Sequence, residues 1–386
     1  MKILIVIPEF PVNIEDIKGG VISALSNLLH GFSQMDNVKV KVLSFNRYIT
    51  GPIIKEYSPD IEINYLPEGK FPHAFNFMFK GSFIVKRYIR EFNPDIVHYA
   101  MSGYILLTKA MGLYNKIHVV TIHGISFREA RHKKEVKQKL VLYTNGLAEM
   151  LLCPKNIIHI SNYSRLLFMD RKNRSVIIPN AINPSYFKLP LKHTTDNRLL
   201  YIGGIETNKN ILFLLNALKS LVHLNVFFSL DVVGDYVDDF YKTEVVSFIQ
   251  KNKLGEYITF HGWVNQQRVQ QVLIQADILV VSSKQETLPM VIAEAMSAGK
   301  VVVSTTAGGI PEMVEDGVDG FLYALPDVEG LVSMLQKLYN NTSLVLQIQA
   351  RARKKAMQTY GSKEVAERTI SFYQALLKNI NGHQTI

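Results

Sequence analysis

Short runs rich in valine and isoleucine alternate along this chain with longer segments of helical period, and the alternation starts twice. The first series of runs covers residues 2–7, 39–44, 61–66, 96–98, 118–122, 156–160 and 176–178. Most are apolar almost throughout, as strands buried on both faces must be. Between them, residues 21–32, 82–92 and 130–152 carry the spacing of helices. Such alternation predicts a parallel, doubly wound α/β sheet. The pattern pauses over residues 178–184, Pro190 and the polar run 193–198, which read as a linker. It resumes with runs at 199–202, 227–233, 258–261, 278–281, 301–304 and 320–323, and three helical segments close the chain.

This divides the chain into two Rossmann-like domains, residues 1–180 and 199–362, joined by a hinge over 181–198. A final helix over 363–386 is expected to return to the first domain. Two such domains facing each other leave a cleft, and ligands of open α/β sheets sit at the carboxyl ends of the strands. At 386 residues the chain has enough length for two cores. A single cysteine, Cys153, cannot form an internal disulfide, which favours a reducing, cytoplasmic setting. The apolar start, residues 3–7, is too short for a secretory segment, because Pro8 and Glu9 follow at once.

The net charge of +10 is uneven: residues 1–190 hold 25 Lys+Arg against 14 Asp+Glu, and residues 191–386 hold 18 against 19. An excess confined to one domain points to an anionic partner for that domain. The basic run Phe127 to Lys139, and the aromatics of 71–92 with Lys80, Lys86, Arg87 and Arg90, suit an anionic membrane surface or a solvated helix face. No nucleic-acid motif accompanies the charge.

The strongest constellation runs from Ala276 to Gly299. A buried strand is followed by a polar loop, then by Pro289 in an expected first helical turn, and Gly299 stands at the helix end. Free N–H groups near Leu288, Met290 and Val291 make an anion site at the helix start. Glu294 lies about one and a half turns in, and its side chain leans back toward that start. A carboxylate there suits the vicinal hydroxyls of a ribose, and Glu286 in the loop can accept the hydroxyls of a sugar.

Glu286 and Glu294, with seven residues between them, resemble the E-x7-E motif of retaining GT-B glycosyltransferases, and more narrowly of family 4, or group 1. Residues 301–312 with Gly308-Gly309, residues 315–322, the stretch Phe260-His261-Gly262-Trp263-Val264 and the hinge 176–182 resemble further segments of that family. The resemblance implies a nucleotide-sugar donor, a glycan or lipid-linked acceptor, no resident cofactor and no metal. It also implies a peripheral membrane enzyme of bacterial surface polysaccharide synthesis. It gives catalytic roles to His123 and Glu286. Donor binding falls to Gly19, Gly20, Gly204, Lys209, Trp263, Val264, Thr287, Leu288, Pro289, Met290 and Glu294. Gly204 stands where the family carries an arginine that, with Lys209, neutralises the leaving diphosphate. Its absence raises the alternative of a catalytically weak nucleotide-sugar-binding subunit; an epimerase or hydrolase of the same architecture is a third reading. His98 also follows a buried strand and is a lesser candidate, while Asp235, Asp238 and Asp239 read as a helix-start cluster rather than a metal site.

Overall fold

The computed structural model describes residues 1–13, 17, 19–70, 72–109, 116–124, 126–127, 136–168, 174–191, 197–339 and 341–381. The chain divides into two compact units, Met1–Ala181 with Ser362–Ile386, and Ile182–Gly361.

The first unit is built on β1 (Lys2–Ile7), β2 (Lys39–Asn46), β3 (Ile53–Ser58), β4 (Ile61–Pro67), β5 (Ile96–Tyr99), β6 (Ile117–Ile122), β7 (Asn156–His159) and β8 (Arg174–Ile177). They lie in the order β3-β4-β2-β1-β5-β6-β7-β8. Neighbours are parallel except β3, which runs antiparallel to β4. The expectation of a wholly parallel sheet is corrected here. β3 is an edge strand whose Lys55 and Glu56 are exposed, so it lacks the continuous apolar run that marks a buried strand. Helices α1 (Gly20–Phe32), α2 (Ser82–Phe92), α3 (Val136–Leu152) and α4 (Asn162–Leu167) flank the sheet. The expected helix over 130–152 is described only from Val136. The last helix of the chain, α11 (Ser362–Asn381), packs on α1. Gly31 permits that approach, because a Cβ there would stand 2.1 Å from the Ser362 carbonyl oxygen.

The second unit carries β9 (Arg198–Ile202), β10 (Ser229–Val233), β11 (Ile258–Gly262), β12 (Ile278–Val281), β13 (Val301–Thr305) and β14 (Phe321–Tyr323). Their order is β11-β10-β9-β12-β13-β14, parallel throughout. Helices α5 (Ile211–His223), α6 (Asp239–Lys251), α7 (Gln266–Gln275), α8 (Met290–Ser297), α9 (Val328–Tyr339) and α10 (Thr342–Tyr360) surround it. Leu214, Leu218, Val232, Val280, Val303 and Leu335 are fully buried between sheet and helices.

The start of the expected hinge is firmer than a linker. Pro184–Lys188 forms a 3-10 turn that buries Tyr186. The Arg353 guanidinium donates to the carbonyls of Phe187 and Leu189. Residues 192–196 of the polar run lie outside the described residues. In each sheet the strand order reverses once, between β1 and β5 and between β9 and β12. Such a switch point opens a crevice at the strand carboxyl ends. Among the described residues no helix is long and apolar enough to cross a membrane.

Candidate active site

The crevice of the second unit is formed by the loops after β9 and β12, and these loops are zipped together. Lys284 N donates to Asn208 O at 2.8 Å, and Asn208 Nδ2 donates to Gln285 O at 3.1 Å. Ser282 Oγ donates to Lys209 O at 2.9 Å. On this frame the Lys209 ammonium meets Glu286 Oε1 at 2.5 Å. Both side chains are mostly buried, at 28% and 12% exposure. The Glu286 backbone is held in turn by Gly309 N at 3.1 Å. A cation and a carboxylate therefore stand side by side at the switch point.

Helix α8 starts beside them. Pro289 is its N-cap, one residue earlier than the expected first-turn position, and it offers no side chain to the free N–H groups. Ile292 N turns back to Pro289 O, which leaves the N–H groups of Met290 and Val291 at the open end. Thr287 and Met290 are half-buried, Leu288 and Pro289 buried. The helix closes at Gly299, whose φ of 65° is left-handed. Glu294 is half-buried in the second turn. Burial pushes its carboxyl up to about 7, and a hydrogen bond from the Tyr186 hydroxyl pulls the other way. Tyr186 was not singled out from the sequence; its position after Pro184 in an apparent linker hid it.

Three glycines bring the neighbouring loops close. Gly203 N donates to Val233 O at 2.9 Å, and Gly234 N to Gly262 O at 2.9 Å. At Gly234, φ is 136° and a Cβ would stand 2.0 Å from Gly203 O. A Cβ on Gly204 would stand 3.0 Å from a Val237 methyl, and the Gly204 carbonyl accepts from the Tyr201 hydroxyl at 3.0 Å. Space at position 204 is thus partly taken by Val237. Beyond Gly262, Trp263 is 55% exposed and Val264 half-buried.

In the first unit His123 follows β6. Its Nε2 lies 3.0 Å from the Ala100 carbonyl, so Nε2 carries the proton and donates. Burial pushes the imidazole down to about 4, against the opposing effect of that bond. The ring is neutral at pH 7, which leaves Nδ1 an acceptor. It lines a cavity of about 40 Å³ with His98, Thr121, Pro179 and Asn180. His98 is structural: Nε2 meets Thr121 Oγ1 and Nδ1 meets the Tyr373 hydroxyl of α11, both at 2.8 Å. Gly19 caps α1 with a φ of 89°, and both Gly19 and Gly20 are exposed. Lys18, Phe71 and residues 128–135 of the basic run lie outside the described residues.

Family comparison matches both halves of the chain. Residues 18–186 fit the profile of Glycosyltransferase Family 4, and residues 196–341 that of Glycosyl transferases group 1. The fold is that of Anabaena Alr3699/HepE solved in complex with UDP: TM-score 0.74, 18% identity, 97% of this chain and 100% of that one. The chain belongs to the GT-B glycosyltransferases. The uncharacterised glycosyltransferase MJ1178 of Methanocaldococcus jannaschii is 26% identical over 334 residues, 84% of this chain and 86% of the relative. The lipopolysaccharide 1,2-N-acetylglucosaminetransferase of Salmonella typhimurium is 30% identical over 234 residues, 54% of this chain and 60% of the relative.

In this glycosyltransferase one carboxylate of the acidic cluster after β10 serves the backbone. Asp238 caps α6 by accepting from Tyr241 N at 2.7 Å. Among the described residues no group of three or more His, Cys, Asp or Glu side chains is placed to hold a metal ion. His261 belongs to the sheet edge, bonded to the buried Asp231 at 2.6 Å.

Proposed function

We propose that this glycosyltransferase moves a sugar from a nucleotide-sugar donor to a glycan or lipid-linked glycan, with retention of anomeric configuration, in bacterial surface polysaccharide synthesis. The observation that carries the reading is the Lys209–Glu286 pair at the switch point beside the open N-terminus of α8. A donor diphosphate is the ligand that both the ammonium and the free amides attract. Glu286, released from Lys209 by the phosphate, accepts hydroxyls of the sugar. Glu294 accepts the ribose diol, and Trp263 and Val264 border the base. His123, neutral with Nδ1 bare, is assigned to a hydroxyl of the transferred sugar. The Anabaena structure with UDP and the Salmonella lipopolysaccharide relative support the donor class and the setting.

In this mechanism the protein contributes positioning and charge, while the leaving diphosphate takes the acceptor proton during front-face attack. Gly204 favours a second reading, a weak catalyst that mainly binds its donor, since position 204 carries no guanidinium and Val237 crowds it. Thermal unfolding with UDP-, GDP- and ADP-sugars, followed by single-turnover assay of the stabilising donor, separates the two. Transfer requires sugar loss within the bound complex, with the product anomer read by NMR. Stabilisation without sugar loss supports the binding subunit, and an inverted product removes the retaining mechanism.

A further inference from the structure

Helix α3 turns its polar side inward. Val136, Leu140, Tyr143, Leu147, Met150 and Leu151 are exposed, while Gly146, Ala148 and Glu149 are buried. A helix of a water-facing domain shows the reverse arrangement, with its apolar stripe on the core. What the inward face holds accounts for the exception. Glu149 is 3% exposed, and its Oε1 accepts from Ser102 Oγ at 2.8 Å and from Ser126 Oγ at 2.6 Å. Its Oε2 accepts from Ser126 N at 3.4 Å. Asn145 Oδ1, one turn earlier, accepts from Tyr104 N at 3.0 Å. Gly146 seats the Phe127 ring, since a Cβ there would stand 2.7 Å from two of its carbons. Positions 145, 146 and 149 are neighbours on one helix face.

All these contacts fall on two stretches of chain. Ser102 and Tyr104 follow β5, and Ser126 and Phe127 follow β6. The same two stretches make the His123 site. Ala100, two residues before Ser102, supplies the carbonyl that takes the His123 Nε2 proton at 3.0 Å. His123 itself stands three residues before Ser126. One carboxylate therefore ties the stretch that holds the ring to the stretch that carries the ring. A single hydroxyl could not do this as well, because a carboxylate offers two oxygens and about four lone-pair sites.

We propose that Glu149 is a positioning residue for the transfer step. Through Ser102 and Ser126 it sets the separation of the two stretches, and so fixes the aim of the His123 ring and its Nε2-protonated tautomer. The inference rests on the reading that places His123 against the transferred sugar. Glu149 acts through the ring and not on the sugar. Misplacing a group by about 1 Å can slow a reaction about 10²-fold.

The test uses the full chain with isotope-labelled histidine and the sugar nucleotide that stabilises it. The His123 ring resonances, assigned by His123→Asn, are expected to report the Nε2–H tautomer in wild type. Glu149→Ala is expected to mix the tautomers and to slow single-turnover sugar loss by about 10–10²-fold. The donor-induced thermal shift should stay at the wild-type value, because Lys209 and Glu286 lie in the second unit. Glu149→Gln keeps an acceptor oxygen and is expected to restore the resonances and most of the rate. Ser102→Ala with Ser126→Ala breaks the same bonds and should reproduce both changes, which decides the matter where Glu149→Ala fails to fold. Unchanged His123 resonances in Glu149→Ala overturn the proposal, as do changed resonances with wild-type sugar loss. A wild-type ring protonated at Nδ1 overturns it without any variant. A wild type that binds its donor yet releases no sugar sinks the transfer reading instead, and the resonances then decide the positioning alone.

Discussion

Glu294 is under two opposed demands. Ribose hydroxyls bind its carboxylate form, yet burial holds the group near a pKa of 7 against an ordinary 4.5. Below the unfolded value both states are protonated. Between 4.5 and 7 only the folded state keeps its proton, so stability falls through that window and levels above it. A rise of this size corresponds to at most about 3 kcal/mol. Glu294→Gln keeps an acceptor for Tyr186 and removes the charge. Denaturant unfolding is expected to find the variant more stable than wild type at pH 8 and equal to it near pH 4. Equilibrium binding should show wild-type donor affinity rising as pH passes 7, and the variant weaker and flat. A wild-type affinity that falls through that range contradicts the assignment of Glu294 to the ribose. His123 sets no such limit, because its imidazole is neutral above about pH 5.

Elements place these groups through contacts that sequence patterns report unequally. The loops after β9 and β10 touch through Gly203 and Gly234, and a side chain at Gly234 collides with the Gly203 backbone. Gly234→Ala is expected to cost about 1–3 kcal/mol in unfolding experiments, through φ strain and forced separation of the loops. Donor affinity should fall with it; unchanged affinity removes these loops from the donor site. In the first unit, Tyr373→Phe leaves His98 Nδ1 without its partner, and a loss of about 1–3 kcal/mol is expected by the same measurement. The buried strands and the start of α8 were legible because burial on both faces and helix-start chemistry leave local marks. β3 was not, since a charged edge strand has no apolar run. Glu294 was legible as an inward carboxylate, but its partner Tyr186 comes from 108 positions earlier, in what reads as a linker. His98 likewise resembled a site residue at a strand end, until Tyr373 and Thr121 were found on its two nitrogens.

At the scale of the whole molecule, two sheets of the same design carry different surfaces. The second unit gathers its chemistry at the β9–β12 switch point and is nearly neutral, while the first holds the basic excess and the apolar face of α3. The acceptor side was the least legible part of the sequence, because residues that meet diverse acceptors follow no common spacing. A bound donor must stabilise the chain by mass action, by about 2.7 kcal/mol at a hundredfold excess over Kd. Once the stabilising sugar nucleotide is known, the decisive measurement is single-turnover sugar loss from it in wild type and Lys209→Ala. A fall of about 10²–10³-fold in the chemical step is predicted, as expected when a fixed charge on the leaving diphosphate is removed. A Lys209→Ala enzyme that releases the sugar at the wild-type rate would contradict the site at Lys209 and Glu286.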